Sequence, residues 1–371
     1  MVMNIGLINM EYAGGMKDYH QNFLRCIRDR VRKEILVEYI DSKAKTIMVS
    51  ETSFDNFSTV KVSIPQFLKY YLFFYPELFD KKIFEFIEND DSIDMWIIVW
   101  DSFFLRRIPK ALRNKLILVV HDVMMHDAKV NMLRWIARYV MHSRNVSKRR
   151  QLNFLLTNSK LQYYQLTELY PRKMILYLPM MPTITEEMVN GKEKLPEIEG
   201  IDSYFLFFGR IEYYKGIHLL VDAYKRSNIK IPLVIAGRGS IYFDIPDNKN
   251  IIIINRFIRQ EEISTLFRQS RCVVFPYISA TQVGPLSIAY YYGRPVITTS
   301  LLPFIENFDF QNPPGVIINP GDVYSLIWAL EMFLDDQVVA EFSANSFRNY
   351  EKYYGNISKI VSSLFDDIKK I

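Results

Sequence analysis

The 371-residue chain has two cysteines, Cys26 and Cys272, which lie far apart in the sequence. Neither a disulfide framework nor a CxxC metal pair can be built from them, which predicts a reducing, cytoplasmic environment. No apolar run approaches the roughly 18 residues of a spanning helix. The first residues lack the basic start and cleavage site of a signal peptide. We therefore expect a cytoplasmic protein. Peripheral binding at the inner face of the cell membrane is compatible with this expectation.

Several catalytic signatures are also missing. There is no GxSxG nucleophile motif and no GxxxxGK[ST] phosphate loop. The pair His121 and His126 does not form HExxH. Paired acids such as Asp90-Asp91 lie near predicted helix ends, where they are typical of solvated faces. We expect no essential metal ion and no other cofactor.

The charge balance is mildly basic, with a formal net charge of +5 and a pI of about 8.9. Nucleic-acid binding would call for a dense basic stripe and a recognition motif, which this sequence lacks. The small positive net charge instead fits a protein that binds phosphates or an anionic membrane surface.

The length and a hydrophobic content of 49% predict two α/β domains. Short apolar runs, typical of buried parallel strands, alternate with helical patterns. The runs are 3–10, 95–100, 115–121, 154–159 and 173–179 in the first half, and 204–210, 231–237, 250–257, 272–276 and 295–300 in the second.

The proline-containing stretch 181–200 has little periodicity and predicts a linker. Residues 1–180 then form the N-terminal domain, joined by an amphipathic C-terminal helix at 356–371. Residues 201–355 form the C-terminal domain.

The segment FFGRIEYYKGIHLLVDAY (207–224) follows a predicted strand. It places Gly209, Arg210 and Lys215 in the loop beyond the strand's carboxyl end, where ligands of open α/β sheets bind. Two cations there can neutralise a leaving diphosphate without a metal. Gly209 permits a close backbone approach. The alternative is two surface charges around an ordinary turn.

The segment is followed by AGRGS (236–240), then by CVVFP (272–276), and then by a Gly-containing turn and GRPV (293–296). This ordered set resembles the C-terminal domain of the large retaining glycosyltransferase family often called family 4. The resemblance implies the GT-B fold, an α/β architecture of two facing Rossmann-like domains with a cleft between them. It covers about 200–335 well and the N-terminal half more loosely.

The resemblance assigns roles residue by residue. Arg210 and Lys215 match the family's diphosphate-binding pair. Arg256, Phe257 and Ile258 follow a strand where the family packs the nucleotide base, although Phe257 could equally belong to the core. The turn leads into a helix whose N-terminus faces the phosphates. That helix end makes the following residues donor-binding candidates: Thr281, Gln282, Val283 and Gly284.

The sequence departs from the family in this turn. Two glutamates that contact the donor sugar and the ribose in the family correspond to Ala280 and Ile288. Thr281, Gln282 and Ser287 are polar candidates to replace them. The departure puts the identity of the donor in doubt.

In the N-terminal half, Gly14 and Gly15 resemble the family's Gly-rich loop, which faces the donor phosphate or the acceptor. A plain tight turn is the alternative. His121 ends a predicted strand at the expected cleft edge, where a family histidine contacts the donor sugar. A partly buried structural histidine is the alternative.

The stretch 134–151 mixes basic residues with Trp135, Ile136 and Tyr139, and the stretch 69–86 is aromatic and amphipathic. Such basic amphipathic segments suit an anionic bilayer. An ordinary helix with a solvated basic face is the alternative.

The resemblance implies a retaining glycosyltransferase with catalytic roles for His121, Arg210 and Lys215. The expected donor is a UDP-sugar, or a GDP-sugar as second choice. The expected acceptor is a glycan or a lipid-linked glycan in bacterial surface polysaccharide synthesis. Three rivals remain: a sugar-nucleotide epimerase, a non-catalytic nucleotide-sugar binder and a peripheral membrane protein that binds no nucleotide.

Overall fold

A computed structural model describes residues 3–10, 15–40, 47–54, 57–99, 104–123, 132–244 and 248–368. The chain divides into two compact units. Unit 1 comprises residues 1–179 and 358–371, and unit 2 comprises residues 180–357. Each unit has its own sheet, so the predicted two-domain α/β class is confirmed.

Unit 1 contains an eight-stranded sheet with helices packed around it. Its strands are β1 (Ile5–Met10), β2 (Val31–Ile40), β3 (Met48–Phe54), β4 (Phe57–Pro65), β5 (Met95–Ile98), β6 (Leu116–Val120), β7 (Phe154–Thr157) and β8 (Met174–Tyr177). Its helices are α1 (Gly15–Ile27), α2 (Leu68–Phe74), α3 (Glu77–Glu88), α4 (Met132–Gln151), α5 (Lys160–Leu169) and the C-terminal α13 (Ile357–Ile368), with a 3-10 turn at Lys110–Leu112.

The strand order of this sheet is β3-β4-β2-β1-β5-β6-β7-β8. All neighbours are parallel except β3 and β4, which pair antiparallel at one edge. Strands β5 and β6 are buried along their whole length, because helices cover both faces of a parallel sheet. The order reverses between β1 and β5, which marks the ligand-binding edge of a doubly wound sheet.

Unit 2 contains six parallel strands: β9 (Tyr204–Phe208), β10 (Leu233–Ala236), β11 (Ile251–Ile254), β12 (Ser270–Phe275), β13 (Val296–Thr299) and β14 (Gly315–Ile318). Its helices are α6 (Glu186–Asn190), α7 (Ile217–Arg226), α8 (Gln260–Arg268), α9 (Gly284–Tyr291), α10 (Leu302–Ile305), α11 (Val323–Met332) and α12 (Asp336–Tyr354), with 3-10 turns at Pro196–Ile198 and Tyr213–Lys215.

The order β11-β10-β9-β12-β13-β14 is the 3-2-1-4-5-6 order of a Rossmann sheet. The switch point therefore lies between β9 and β12. Ligands of such sheets bind beyond the carboxyl ends of the strands at this point. Gly209 follows β9 directly, and Pro276 follows β12 directly, so both loops open onto that position.

The stretch 181–200, predicted as a linker, belongs to unit 2. Met188, Leu195 and Ile198 are buried in the core of that unit. The main-chain N–H of Glu193 donates to the carbonyl of Glu261 at 3.1 Å. The prolines and charges that suggested a free connection instead surround apolar residues that anchor the segment.

Across the described ranges, no helix is both long enough and apolar enough to cross a membrane.

Candidate functional site

The loop after β9 is shaped by two glycines. Gly209 has φ +138° and Gly216 has φ +67°, in a region that side chains with a Cβ rarely adopt. A Cβ on Gly216 would lie 1.9 Å from the carbonyl oxygen of Pro276. The loop therefore lies directly against the end of β12. The N–H of Ile278 adds a 2.8 Å hydrogen bond to the carbonyl of Tyr214.

Lys215 ends the 3-10 turn of this loop and is buried, with 7% of its surface exposed. Its Nζ lies 5.1 Å from the ring centroid of Tyr277 and 2.7 Å from the point where a Cβ on Gly209 would stand. The missing side chain of Gly209 thus makes room for the ammonium group. No carboxylate in the described part of the chain forms an ion pair with it.

Burial, and to a smaller extent the nearby Arg210, lowers the pKa of Lys215 to about 8, against a smaller opposite effect of Glu212. Desolvation disfavours the charged form of an amine unless an anion accompanies it. The site therefore holds a cation whose charge a bound anion would stabilise.

Arg210 has a different environment. Its side chain is 72% exposed and forms a 2.8 Å ion pair with Glu212. An exposed pair of this kind contributes little to stability, so the guanidinium can exchange Glu212 for a phosphate at small cost. Arg210 and Lys215 lie in one loop, as the sequence predicted for a diphosphate-binding pair.

The turn from β12 leads into α9, which begins at Gly284. Val283 is buried, while Thr281, Gln282 and Gly284 are partly buried. The Nε2 atom of Gln282 is buried and has no hydrogen-bond partner among the described residues. The first N–H groups of a helix attract anions, so this end of α9 provides backbone donors for an anionic ligand.

Ser287 is not available as a replacement for a missing glutamate. Its hydroxyl donates to the carbonyl of Gly284 at 2.9 Å and accepts from the N–H of Thr183 at 3.0 Å. Ile288 is 3% exposed in the core, and Ala280 packs against that core. These positions fill space in unit 2 instead of presenting polar groups.

The predicted base-binding residues divide into three environments. Arg256 is held by Glu197 at 2.8 Å and by the buried Glu262 at 2.9 Å, so its guanidinium is committed to the structure. Both carboxylates raise the pKa of Arg256. Phe257 is exposed and Ile258 is buried. Phe257 is therefore not a core residue, and its ring can contact a ligand.

In unit 1, His121 follows β6 directly and is 6% exposed. Its Nε2 lies 2.9 Å from the carbonyl oxygen of Val99, and since that oxygen only accepts, Nε2 carries the proton. The His121 carbonyl accepts a hydrogen bond from the Gln162 side chain. The imidazole is thus held in a fixed orientation at the carboxyl edge of the sheet.

Gly15 is the first residue of α1, after β1. Gly14 lies outside the described residues, so the predicted Gly-rich loop is described only at its second glycine. Among described residues, no group of three His, Cys, Asp or Glu side chains converges as a metal site would require.

Sequence reasoning missed Tyr277. It follows Pro276 at the end of β12, and its 2%-exposed side chain lies beside Lys215. One feature of the sequence could have identified Tyr277 as a site residue, namely its position directly beyond the strand at the switch point. Aromatic residues in such places are usually assigned to the core.

Part of unit 2 matches a known protein family. Residues 202–336 match the family described as Glycosyl transferases group 1. The matched residues lie in unit 2, and the chain has the two-domain, Rossmann-like GT-B fold.

Two curated proteins resemble the chain in part. The O-antigen chain mannosyltransferase C of Escherichia coli is 26% identical over 161 residues, which are 41% of this chain and 43% of that protein. The D-rhamnosyltransferase WbpZ of Pseudomonas aeruginosa is 22% identical over 179 residues, 46% of this chain and 45% of that protein. The chain thus aligns with less than half the length of each relative.

Solved structures resemble the whole chain. The UDP-forming α,α-trehalose-phosphate synthase of Burkholderia vietnamiensis has a TM-score of 0.70 at 11% identity and covers 100% of both chains. Anabaena HepE in complex with UDP and glucose has a TM-score of 0.66 at 12% identity and covers 98% of this chain and 99% of its own. At these identities the likeness shows the fold.

Proposed function

We propose that this chain is a retaining glycosyltransferase that transfers a sugar from a nucleoside diphosphate to a glycan or lipid-linked glycan. The observation that carries the proposal is Lys215, a buried cation without a carboxylate partner in the described residues, at the switch point of a Rossmann sheet. The names of the two curated relatives, a mannosyltransferase of the O-antigen chain and a rhamnosyltransferase, support surface polysaccharide synthesis.

The proposed chemistry depends on charge. As the bond between the donor sugar and the diphosphate breaks, negative charge grows on the leaving diphosphate. Lys215 and Arg210 stabilise that charge more strongly in the transition state than in the ground state, which accelerates the reaction. Retention of anomeric configuration follows from the family resemblance. A contact between His121 and the donor sugar is part of the same proposal.

We further propose that these two cations act without an essential metal. A transfer assay in the presence of a chelator tests this, and activity should be unchanged. Loss of activity that returns on addition of Mg²⁺ or Mn²⁺ would show that the cations are insufficient.

The donor is tested first by thermal unfolding with UDP, GDP, their common sugar conjugates and the bare nucleosides. A ligand at about 100 times its Kd stabilises by about 2.7 kcal/mol. We expect one diphosphate series to stabilise the protein, UDP before GDP, and the effect to vanish in Lys215→Met. Stabilisation by no nucleotide would overturn the proposal.

Product analysis then separates the rival functions. A transferase joins the sugar to an added acceptor, an epimerase converts the donor without an acceptor, and a non-catalytic binder leaves the donor intact. Conversion of donor in the absence of any acceptor, with no transferred sugar, would favour the epimerase.

A second proposal concerns the membrane. Helix α4 exposes Met132, Trp135, Ile136 and Tyr139, with exposed fractions between 42% and 77%. The helix contains no Asp or Glu, and Arg138 is exposed beside these residues. The resulting positive charge of the helix complements an anionic bilayer surface.

Two basic residues in the second half of α4 are buried and do not contribute to the basic amphipathic surface predicted for 134–151. Lys148 and Arg149 are 0% and 2% exposed, and the Arg149 guanidinium donates to the carbonyl of Val123 at 3.0 Å. The exposed apolar and aromatic side chains of the proposed membrane surface therefore lie in the first half of the helix. Helix α2 and its two capping residues expose a further aromatic group in unit 1: Phe67, Tyr71, Phe74 and Tyr75.

Vesicle sedimentation tests this second proposal. Binding to vesicles with anionic phosphatidylglycerol should exceed binding to phosphatidylcholine vesicles, and Trp135→Glu should abolish the difference. Trp328→Glu is the matched control, since Trp328 is a 55%-exposed tryptophan on a helix of unit 2. Equal binding by Trp135→Glu and the wild type would contradict the proposal.

A further inference from the structure

The side chain of Tyr277 is held rigidly beside Lys215. Its ring packs edge-on against Phe304 at 5.5 Å, Phe275 at 5.9 Å and Tyr214 at 6.2 Å between centroids. Its carbonyl accepts a 2.9 Å hydrogen bond from the Thr299 hydroxyl. The ring therefore cannot swing its hydroxyl towards another partner.

The hydroxyl of Tyr277 is buried and has no hydrogen-bond partner among the described residues. Buried polar groups are nearly always hydrogen-bonded, and an unpaired one in a native structure calls for an explanation. The hydroxyl lies 3.8 Å from the point where a Cβ on Gly209 would stand, and Lys215 Nζ lies 2.7 Å from the same point. An unpaired donor and an unpaired cation thus share the space that Gly209 leaves open.

The protonation state of Tyr277 is settled by its surroundings. Burial raises the pKa of the phenol above its ordinary value. The group stays neutral at physiological pH and can donate one hydrogen bond. A neutral donor beside a lysine suits a phosphate, which has several acceptor oxygens, better than it suits another cation.

We propose that the Tyr277 hydroxyl donates a hydrogen bond to the same phosphate group that Lys215 binds, and so acts as a further binding residue for the nucleoside diphosphate. The inference rests on the proposed function and specifies its donor site. Lys215 supplies the charge, and Tyr277 supplies a fixed neutral donor that needs no reorganisation when the ligand arrives.

Tyr277→Phe is the direct test, because it keeps the ring and removes the hydroxyl. Hydrogen bonds to charged groups are strong, so we expect the Kd for UDP or GDP, whichever binds, to rise about tenfold or more. The Kd for the bare nucleoside should not change, since the nucleoside carries no phosphate. The melting temperature should stay the same or rise, because the variant removes an unpaired buried donor.

Tyr290→Phe is the matched control. Tyr290 lies on α9 in the same unit, is 0% exposed, and has a buried hydroxyl with no partner among the described residues. Burial raises the pKa of its phenol, and the ionisable groups that add to this effect, Tyr354 and Tyr353, lie outside the Lys215 loop. Tyr290→Phe should resemble Tyr277→Phe in stability and the wild type in nucleotide affinity.

The outcomes separate this inference from the proposed function. Loss of affinity in Lys215→Met with full affinity in Tyr277→Phe would overturn the role of Tyr277 and leave the donor site in place. Full affinity in both variants would overturn the site itself. A double-mutant cycle gives the last check, since two groups on one phosphate should show coupled effects on Kd.

Discussion

Two cationic sites in unit 2 differ in how their charge is compensated. Arg256 lies between Glu197 and Glu262, with hydrogen bonds of 2.8 and 2.9 Å, and it ties the segment before β9 to helix α8. Lys215 is more deeply buried, yet it contacts aromatic rings and has no carboxylate partner in the described residues. The first site is complete within the protein, whereas the second would be completed by an anionic ligand.

The contrast gives two residues with the same predicted role different expected effects. Both residues follow strands of the same sheet, and both were assigned to donor binding from the sequence. Their hydrogen bonds distinguish them, because a guanidinium held by two carboxylates would have to break strong interactions to bind a phosphate. Substitutions at the two sites should therefore affect different properties.

The largest expected effect is on turnover. Lys215→Met removes the buried cation at similar volume, and kcat/KM for sugar transfer should fall about 10³-fold, or about 4 kcal/mol. Steady-state kinetics on the purified variant measure this. Arg210→Met should lower the same parameter by less, since Arg210 is mostly exposed. Full turnover in both variants would refute the assignment of the diphosphate site.

Arg256→Met should instead affect folding. It leaves the carboxylate of Glu262, which is 1% exposed, without its guanidinium partner. Glu262 retains a 2.7 Å hydrogen bond from the N–H of Arg259, and Arg256 is about one-third exposed, so we expect a loss of about 2 kcal/mol of unfolding free energy.

Denaturant titration of Arg256→Met measures the loss. Arg226→Met is the control, because Arg226 forms an exposed i,i+4 pair with Asp222 and should change stability by less than about 0.5 kcal/mol. Nucleotide affinity should be unchanged in both variants. Weaker nucleotide binding by a folded Arg256→Met protein would show that Arg256 does contribute to donor binding.

Much of the fold could be predicted from the sequence because its buried parallel strands are short apolar runs. The runs at β5, β6, β9 and β10 were identified on this basis. The strands β2, β3 and β4 were not predicted, since charged residues interrupt them. In β2, for example, Lys33 and Glu34 precede the apolar residues, and Glu34 is buried against Asn9 and His20.

The candidate site could be predicted in part. The spacing of Arg210, Lys215 and the flanking glycines indicated a loop beyond a strand, and the structure brings them together there. The ion pairs of Arg256 with two carboxylates could not be predicted, because one partner, Glu197, is 59 residues away in sequence. The position of Tyr277 beside Lys215 likewise depends on strand order, which brings β12 next to β9.

The unpaired state of Lys215 should also be visible in stability. Its folded-state pKa of about 8 is below that of an unfolded lysine, so the unfolded state binds more protons between about pH 8 and 10.4. The contribution of Lys215 to stability is therefore unfavourable at pH 7 and rises with pH across that window. Lys215→Met should be more stable than the wild type by about 2 kcal/mol at pH 7, and this difference should shrink towards pH 10. A variant less stable than the wild type at pH 7 would mean that the ammonium has a compensating partner.

The smallest expected effect is the pH dependence of nucleotide binding, about 1.4 kcal/mol per pH unit at most. A bound phosphate favours the charged amine, so the pKa of Lys215 should rise in the complex. Affinity should be constant below about pH 8 and fall towards tenfold per unit above it, because the free amine must then take up a proton. Calorimetry with a nucleotide sugar measures this between pH 6.5 and about 9.5, since its diester phosphates do not titrate there. Lys215→Met should bind weakly with no such slope, and a flat profile for the wild type would show that its bound anion does not depend on the charge of Lys215.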